Sequence, residues 1–136
     1  MFVFDTNIII FFLKRKYPAL ELRIQAAFDE RLPIYLPAIV YQELEVGVLN
    51  SRSPVTRREK MERIMDRVFG VLSYDADDAR LAAEIHAGLL RQGKKIGAYD
   101  LLIAAQVLRR DATLVTHNHD EFSRVPGLKW EDWTLG

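Results

Sequence analysis

Phe2-Val3-Phe4-Asp5-Thr6-Asn7 is an apolar run that ends in an acid and turns at once toward a helix, and its reading decides the fold. In open α/β sheets, ligands sit beyond the carboxyl ends of parallel strands. A carboxylate delivered there by a first strand stands where reactions take place. A surface turn favours Asp and Asn as well, so the stretch takes its meaning from the rest of the chain.

Beyond Asn7 the chain alternates helix and strand, the pattern of a parallel sheet covered on both faces. Ile8 to Leu13 continues as a helix expected to end near Pro18, and Leu20, Ile24, Ala27 and Phe28 repeat at helical spacing in the next. Leu32-Pro33-Ile34-Tyr35-Leu36 reads as a second strand. Pro37 suits the first turn of the helix after it, which carries Ile39, Val40, Glu43 and Leu44. Ser53-Pro54 opens a helix through Met61, Ile64, Met65 and Val68, and Gly70 to Tyr74 reads as strand three. Asp75 caps a helix with Asp77 and Asp78 in its first turn, a core face of Leu81, Ile85 and Leu89, and Arg91 and Lys94 near its end, matching the helix dipole. A helix from Ala98 sets Leu101, Ala104, Ala105 and Leu108 on one stripe. Thr113 to Thr116 is a strand, a turn or short helix runs through Asn118 and Phe122, and a weak strand lies near Leu128 to Glu131. No repeat or linker interrupts the run, so residues 1–136 read as one domain of α/β class.

Composition narrows the chemistry. With no cysteine, disulfides, thiolate metal sites and cysteine nucleophiles are excluded. Charge is balanced at 19 basic against 19 acidic residues, which argues against coating nucleic acid by bulk electrostatics alone. Local basic runs stand out at Lys14 to Lys16, at Arg52 to Arg67 and at Arg91 to Lys95, each readable as solvated helix surface. Met1 to Phe12 contains Asp5 and Asn7 and lacks a basic leader, a poor signal peptide. No stretch reaches the roughly 20 apolar residues of a spanning helix. The expectation is a soluble, cytoplasmic protein without a membrane partner.

Asp5, Glu43 and Asp100 each sit inside a mostly apolar stretch. Burying a carboxylate alone is costly, and two of them about 4 Å apart repel by roughly 4 kcal/mol at an effective dielectric near 20. A cluster of such groups needs a shared proton or a cation. Oxygen donors without cysteine favour Mg²⁺ or Mn²⁺ over zinc. Helix capping or pairing with arginine is the alternative for each acid taken singly.

Taken together, Asp5-Thr6-Asn7, Glu43, Ile96-Gly97-Ala98-Tyr99-Asp100-Leu101-Leu102-Ile103-Ala104-Ala105, Thr113 to Asn118, Phe122, Val125-Pro126-Gly127-Leu128 and Trp133 resemble the PIN-domain ribonuclease toxins of the VapC type. The likeness spans nearly the whole chain. It implies a three-layer α/β/α domain with a central parallel sheet and an acidic pocket at the strand ends that binds Mg²⁺ or Mn²⁺ and cuts RNA with a metal-activated water. Asp5, Glu43 and Asp100 match the family's acidic positions. At the fourth, where the family often carries an acid, stands Asn118. If the chain is helical there, Glu121 shares a face with Asn118 at i+3 and Asp120 points elsewhere, so Glu121 is the preferred substitute.

On this resemblance Asp5 and Asp100 are the metal ligands, Glu43 orients or deprotonates the attacking water, and Asn118 and Glu121 complete the surroundings. Thr6, Asn7 and Thr116 fix the loops. The implied partners are structured RNA such as tRNA, a VapB-like antitoxin and a second copy in a homodimer. Trp130, Trp133 and the apolar helix Ile8 to Leu13 are candidates for the partner surface.

Three further readings stay open. A PIN-fold binding module that has lost catalysis would explain Asn118. An aspartyl-phosphate phosphatase would use Asp5 as nucleophile, although Asn7 stands where that class carries its second acid. His117 and His119 could form a zinc pair but lack a third ligand of recognisable spacing. No dinucleotide or Walker glycine pattern and no nucleophile elbow occurs.

Overall fold

β1 (Phe2–Phe4) is the centre of a five-stranded sheet with the order β3-β2-β1-β4-β5, every pairing parallel. The computed structural model describes residues 1–135. Gly136, the last residue of the one-domain reading, lies outside the described residues. Val3 and Phe4 are fully buried, as a central parallel strand with helices on both faces requires. The other strands are β2 (Ile34–Pro37), β3 (Gly70–Leu72), β4 (Thr113–Val115) and β5 (Lys129–Glu131). The helices are α1 (Thr6–Leu13), α2 (Pro18–Asp29), α3 (Ala38–Leu49), α4 (Pro54–Arg67), α5 (Ala76–Arg91), α6 (Ala98–Arg109) and α7 (His119–Phe122). None of these helices is long and apolar enough to cross a membrane.

Strand order runs outward from β1 to β3, then jumps back across β1 to β4. The crevice at such a reversal lies beyond the carboxyl ends of β1 and β4. Register fixes what meets there. Phe4 pairs with Val115, so the next residues along each strand, Asp5 and Thr116, become neighbours.

Several boundaries differ from the sequence reading, each for a local reason. α1 stops at Leu13, well short of Pro18, because Arg15 adopts a left-handed conformation and the Lys16 and Arg15 amides turn back onto the Phe11 and Phe12 carbonyls. Pro37 closes β2 and precedes α3 instead of sitting in its first turn. β3 ends at Leu72, before Tyr74. On α5 the buried stripe is Asp78, Ala82, Ile85 and Leu89, with Leu81 at its margin. On α6 the buried residues are Ile103 to Val107, and Leu101 and Leu108 are only half-buried.

Asp78 is fully buried on α5 and is offset by charge and hydrogen bonds. It forms a reciprocal capping box with Asp75 and accepts from Arg109 and Arg110 at 3.0 Å each, which fastens α5 to α6. Gln106 ties α6 to the end of β3 by donating to the Leu72 and Ser73 carbonyls.

The C-terminal segment is anchored by Trp133, whose ring packs edge-on against Phe2 and Phe4 at 5.3 and 5.4 Å. Trp133 is 2% exposed, so it belongs to the core and is withdrawn from the partner surface, whereas Trp130 is 38% exposed. Trp133→Ala is expected to cost about 3–5 kcal/mol in urea unfolding and Trp130→Ala less than about 1 kcal/mol. Equal losses would contradict this division.

Candidate active site

The sheet's geometry brings the first candidate acid to the crevice, and two helices bring the others. Asp5 ends β1 and caps α1 by accepting the Ile8 amide at 3.1 Å. Its second oxygen accepts a short hydrogen bond from the Thr116 hydroxyl, the contact that the strand register creates. Thr116 in turn accepts the Asn118 amide at 2.9 Å, which sets the loop after β4. Glu43 reaches in from α3, where its Oε1 accepts from the Thr6 hydroxyl at 2.6 Å. Asp100 lies in the first turn of α6.

Asp5, Thr6, Asn7, Glu43, Tyr99, Asp100, Ile103 and Asn118 line one cavity of about 150 Å³. Four of the five candidates therefore share a wall. Glu121 does not line the cavity and stands behind Asp100. Its Oε1 accepts the Gly97 amide at 2.9 Å, a negative charge at the N-terminus of α6. Asn118 joins the two acids by donating from Nδ2 to Asp100 at 3.0 Å and to Glu121 at 2.8 Å. In this arrangement the Asn118 amide serves the acids as a hydrogen-bond donor. Asp120 is almost fully exposed and turned to solvent.

Among the described residues, the ion pairs of the protein leave Asp5, Glu43, Asp100 and Glu121 without a lysine or arginine within 4.0 Å. The protonation of the cluster reflects this. Burial pushes the Asp5 carboxyl up to about 6, against the Thr116 and Ile8 hydrogen bonds and with help from Glu43. Burial and the adjoining Glu121 carboxylate push Asp100 up to about 7. Glu121 is held below its ordinary value by its hydrogen bonds to Asp100 and Asn118. Of this pair, the Asp100 carboxyl is the one that favours the proton and Glu121 the one that favours the charge. Crowded oxygen donors short of positive charge suit a hard divalent cation, which would take the place of the protons.

Tyr99 and Ile103 also line the cavity. Sequence reasoning missed both, since their only marks are adjacency to Asp100 for Tyr99 and one helical turn for Ile103. Two of the basic runs also come together: Lys14 and Arg15 share a cleft of about 710 Å³ with Lys60, Arg63 and Arg67, floored by Phe12, Leu13 and Phe28. His117 and His119 do not line this cavity and meet Asp132 instead.

Fold and cavity place the chain in a recognised class: the PIN domain family profile matches residues 2–128, and the chain belongs to that family. Over 133 residues it is 35% identical to the tRNA(fMet)-specific endonuclease VapC of Shigella flexneri, covering 98% of each chain. It is 33% identical over 135 residues to ribonuclease VapC1 of Haemophilus influenzae, again covering 98% of each. A chain of the DNA-bound VapBC crystal structure from Salmonella typhimurium superposes with a TM-score of 0.86 at 33% identity, covering 97% of both.

The raised acids make stability depend on pH. Below 3.8 both are protonated folded or unfolded and contribute nothing. As pH rises from 3.8 toward about 6 for Asp5 and about 7 for Asp100, the unfolded chain releases protons that the folded chain retains, so folding becomes less favourable. In metal-free buffer Asp5→Asn should therefore gain stability over wild type across this window, read by urea unfolding at several pH values. A difference that stays constant with pH would refute the assignment.

Proposed function

We propose that this chain is a metal-dependent endoribonuclease, the toxin half of a type II toxin–antitoxin pair, acting on structured RNA such as tRNA. The convergence of Asp5, Glu43 and Asp100 in one cavity without a compensating lysine or arginine carries the reading. Its relatives named as a tRNA(fMet)-specific endonuclease and a ribonuclease support the substrate class. We take residues 1–136 as one catalytic domain.

Asp5 and Asp100 would hold the ion. Their oxygen-only surroundings select Mg²⁺ or Mn²⁺. Bound there, such an ion supplies Lewis acidity toward the phosphoryl group and lowers the pKa of water. The chain's own residues provide the positioning. Thr116 and the Ile8 amide hold both Asp5 oxygens in fixed directions. Thr6 holds one oxygen of Glu43, which leaves the other to orient the attacking water or take its proton. Asn118 fixes the Asp100 carboxyl and is itself held by Glu121. Attack by water with departure of the 3′ oxygen, which takes up a proton, leaves a 3′ hydroxyl on one fragment and a 5′ phosphate on the other. The scattered lysines and arginines of the surface would follow the RNA backbone without reading its bases.

The partner is a VapB-like antitoxin, supported by the likeness to the Salmonella VapBC assembly. The apolar end of α1 enters the basic cleft through Phe12 and Leu13, which suits an acidic, amphipathic partner segment. A homodimer acting in the cytoplasm completes the reading. An aspartyl-phosphate enzyme is disfavoured because no lysine lines the cavity and Asn7 occupies the place of its second acid.

Cleavage of end-labelled tRNA tests this. Chelation should abolish it, and added Mg²⁺ or Mn²⁺ should restore it. Asp5→Asn and Asp100→Asn should be inactive with unchanged circular dichroism, and Asn118→Ala should lose about 10–100-fold. Full activity in both aspartate variants would overturn the assignment, and so would hydrolysis confined to small phosphoesters.

A further inference from the structure

His117, His119 and Asp132 take no part in the carboxylate cavity, yet three chain segments bring them together. His117 follows β4, His119 opens α7, and Asp132 follows β5. The strand register explains the meeting: Val115 pairs with Glu131, so Asp132 emerges beside Thr116 and His117. The histidine pair that lacks a partner in the linear sequence acquires one across the sheet edge.

The donor atoms are turned inward. Thr134 occupies Asp132 Oδ1 by donating its amide at 2.9 Å and its hydroxyl at 2.6 Å. That clamp leaves Oδ2 facing both imidazoles, with His117 Nδ1 at 2.9 Å and His119 Nε2 at 3.3 Å. One donor atom from each residue lies within 4.8 Å of the other two. A four-coordinate ion with bonds of roughly 2.0–2.2 Å spaces its ligands by roughly 3.3–3.6 Å, and both carboxylate–imidazole distances lie within a few tenths of an ångström of that spacing. The Asp132 side chain is 3% exposed, and its ion pairs among the described residues run only to these two imidazoles.

Packing fixes the rings independently of the donors. His119 stacks on Trp130 with centroids 5.2 Å apart and planes at 14°. His117 lies against Tyr17 at 5.6 Å and edge-on to Phe11 at 6.0 Å. Rings held by aromatic neighbours and a carboxylate held by a second residue are the supports a ligand set requires. The two histidine side chains are 41% and 39% exposed, which leaves a path from solvent and a remaining position for water.

We propose that His117 Nδ1, His119 Nε2 and Asp132 Oδ2 form a second metal site, for a borderline transition ion of the zinc class. Its donors differ in kind from those of the cavity. Two imidazoles and a carboxylate suit Zn²⁺ or Co²⁺, whereas oxygen-only Asp5 and Asp100 suit Mg²⁺ or Mn²⁺. One chain therefore sorts two classes of ion. Occupancy joins the segment after β5 to the loop that carries Asn118, and so stiffens one wall of the cavity.

The test is calorimetric titration of Zn²⁺ into the purified chain in excess Mg²⁺, with Co²⁺ absorption in the visible range as a report of low-coordinate nitrogen and oxygen ligation. Wild type and the Asp5→Asn/Asp100→Asn double variant should each take up one Zn²⁺ per chain and melt at higher temperature with it. His119→Gln and His117→Gln should lose both the uptake and the cobalt spectrum while keeping their circular dichroism. Absence of uptake by wild type overturns the site, as does uptake that survives both histidine variants. Loss of uptake in the double aspartate variant would assign the ion to the carboxylate cavity and overturn it equally.

Discussion

Crowding of like charge at the carboxyl ends of β1 and β4 is the constraint on which the rest of the molecule depends. Two carboxylates about 4 Å apart repel by roughly 4 kcal/mol at an effective dielectric near 20, and a buried one adds its own desolvation cost. The apolar sheet offsets that cost. Val3, Phe4, Leu114 and Val115 are fully buried beneath the site and hold the two strand ends in register whether or not the charges repel. The remaining demand shows in carboxyls pushed up to about 6 at Asp5 and about 7 at Asp100, and a cation can take the place of the protons they hold below those values.

Much of this is legible in the amino-acid sequence. Asp5, Glu43 and Asp100 are conspicuous because each interrupts an apolar stretch, and the alternation of strand and helix supplies a parallel sheet to gather them. The helix stripe through Leu20, Ile24, Ala27 and Phe28 reads residue for residue. Less visible are the helix ends. Arg15, Arg31 and Asp111 adopt the left-handed conformation that glycine or asparagine usually signals, so nothing in their chemistry marks a stop. The buried faces of α5 and α6 are shifted from the expected stripes because Asp78 and Gln106, polar by type, find interior partners: two arginines for the carboxylate and two carbonyls for the amide nitrogen. Tertiary partners, which a single sequence does not display, decide both cases.

The loop after β4 shows how one short segment can face two chemistries. Asn118 turns toward Asp100 and Glu121, while His117 and His119 on either side turn toward Asp132. Glu121 gains its position from the first turn of α7 and from the Gly97 amide, and so buttresses the acids from outside the cavity. The C-terminal segment contributes Trp133 to the core and Asp132 to the histidines, tying the edge of the sheet to the loop beside the site.

Anomalous diffraction from a crystal grown with Mn²⁺, measured at the manganese absorption edge, locates the ion directly. The predicted result is a peak inside the cavity within about 2–2.5 Å of carboxylate oxygens from both Asp5 and Asp100, the range of hard-cation bonds. Density confined to other acids of the surface, with the cavity empty at saturating Mn²⁺, would contradict the central claim.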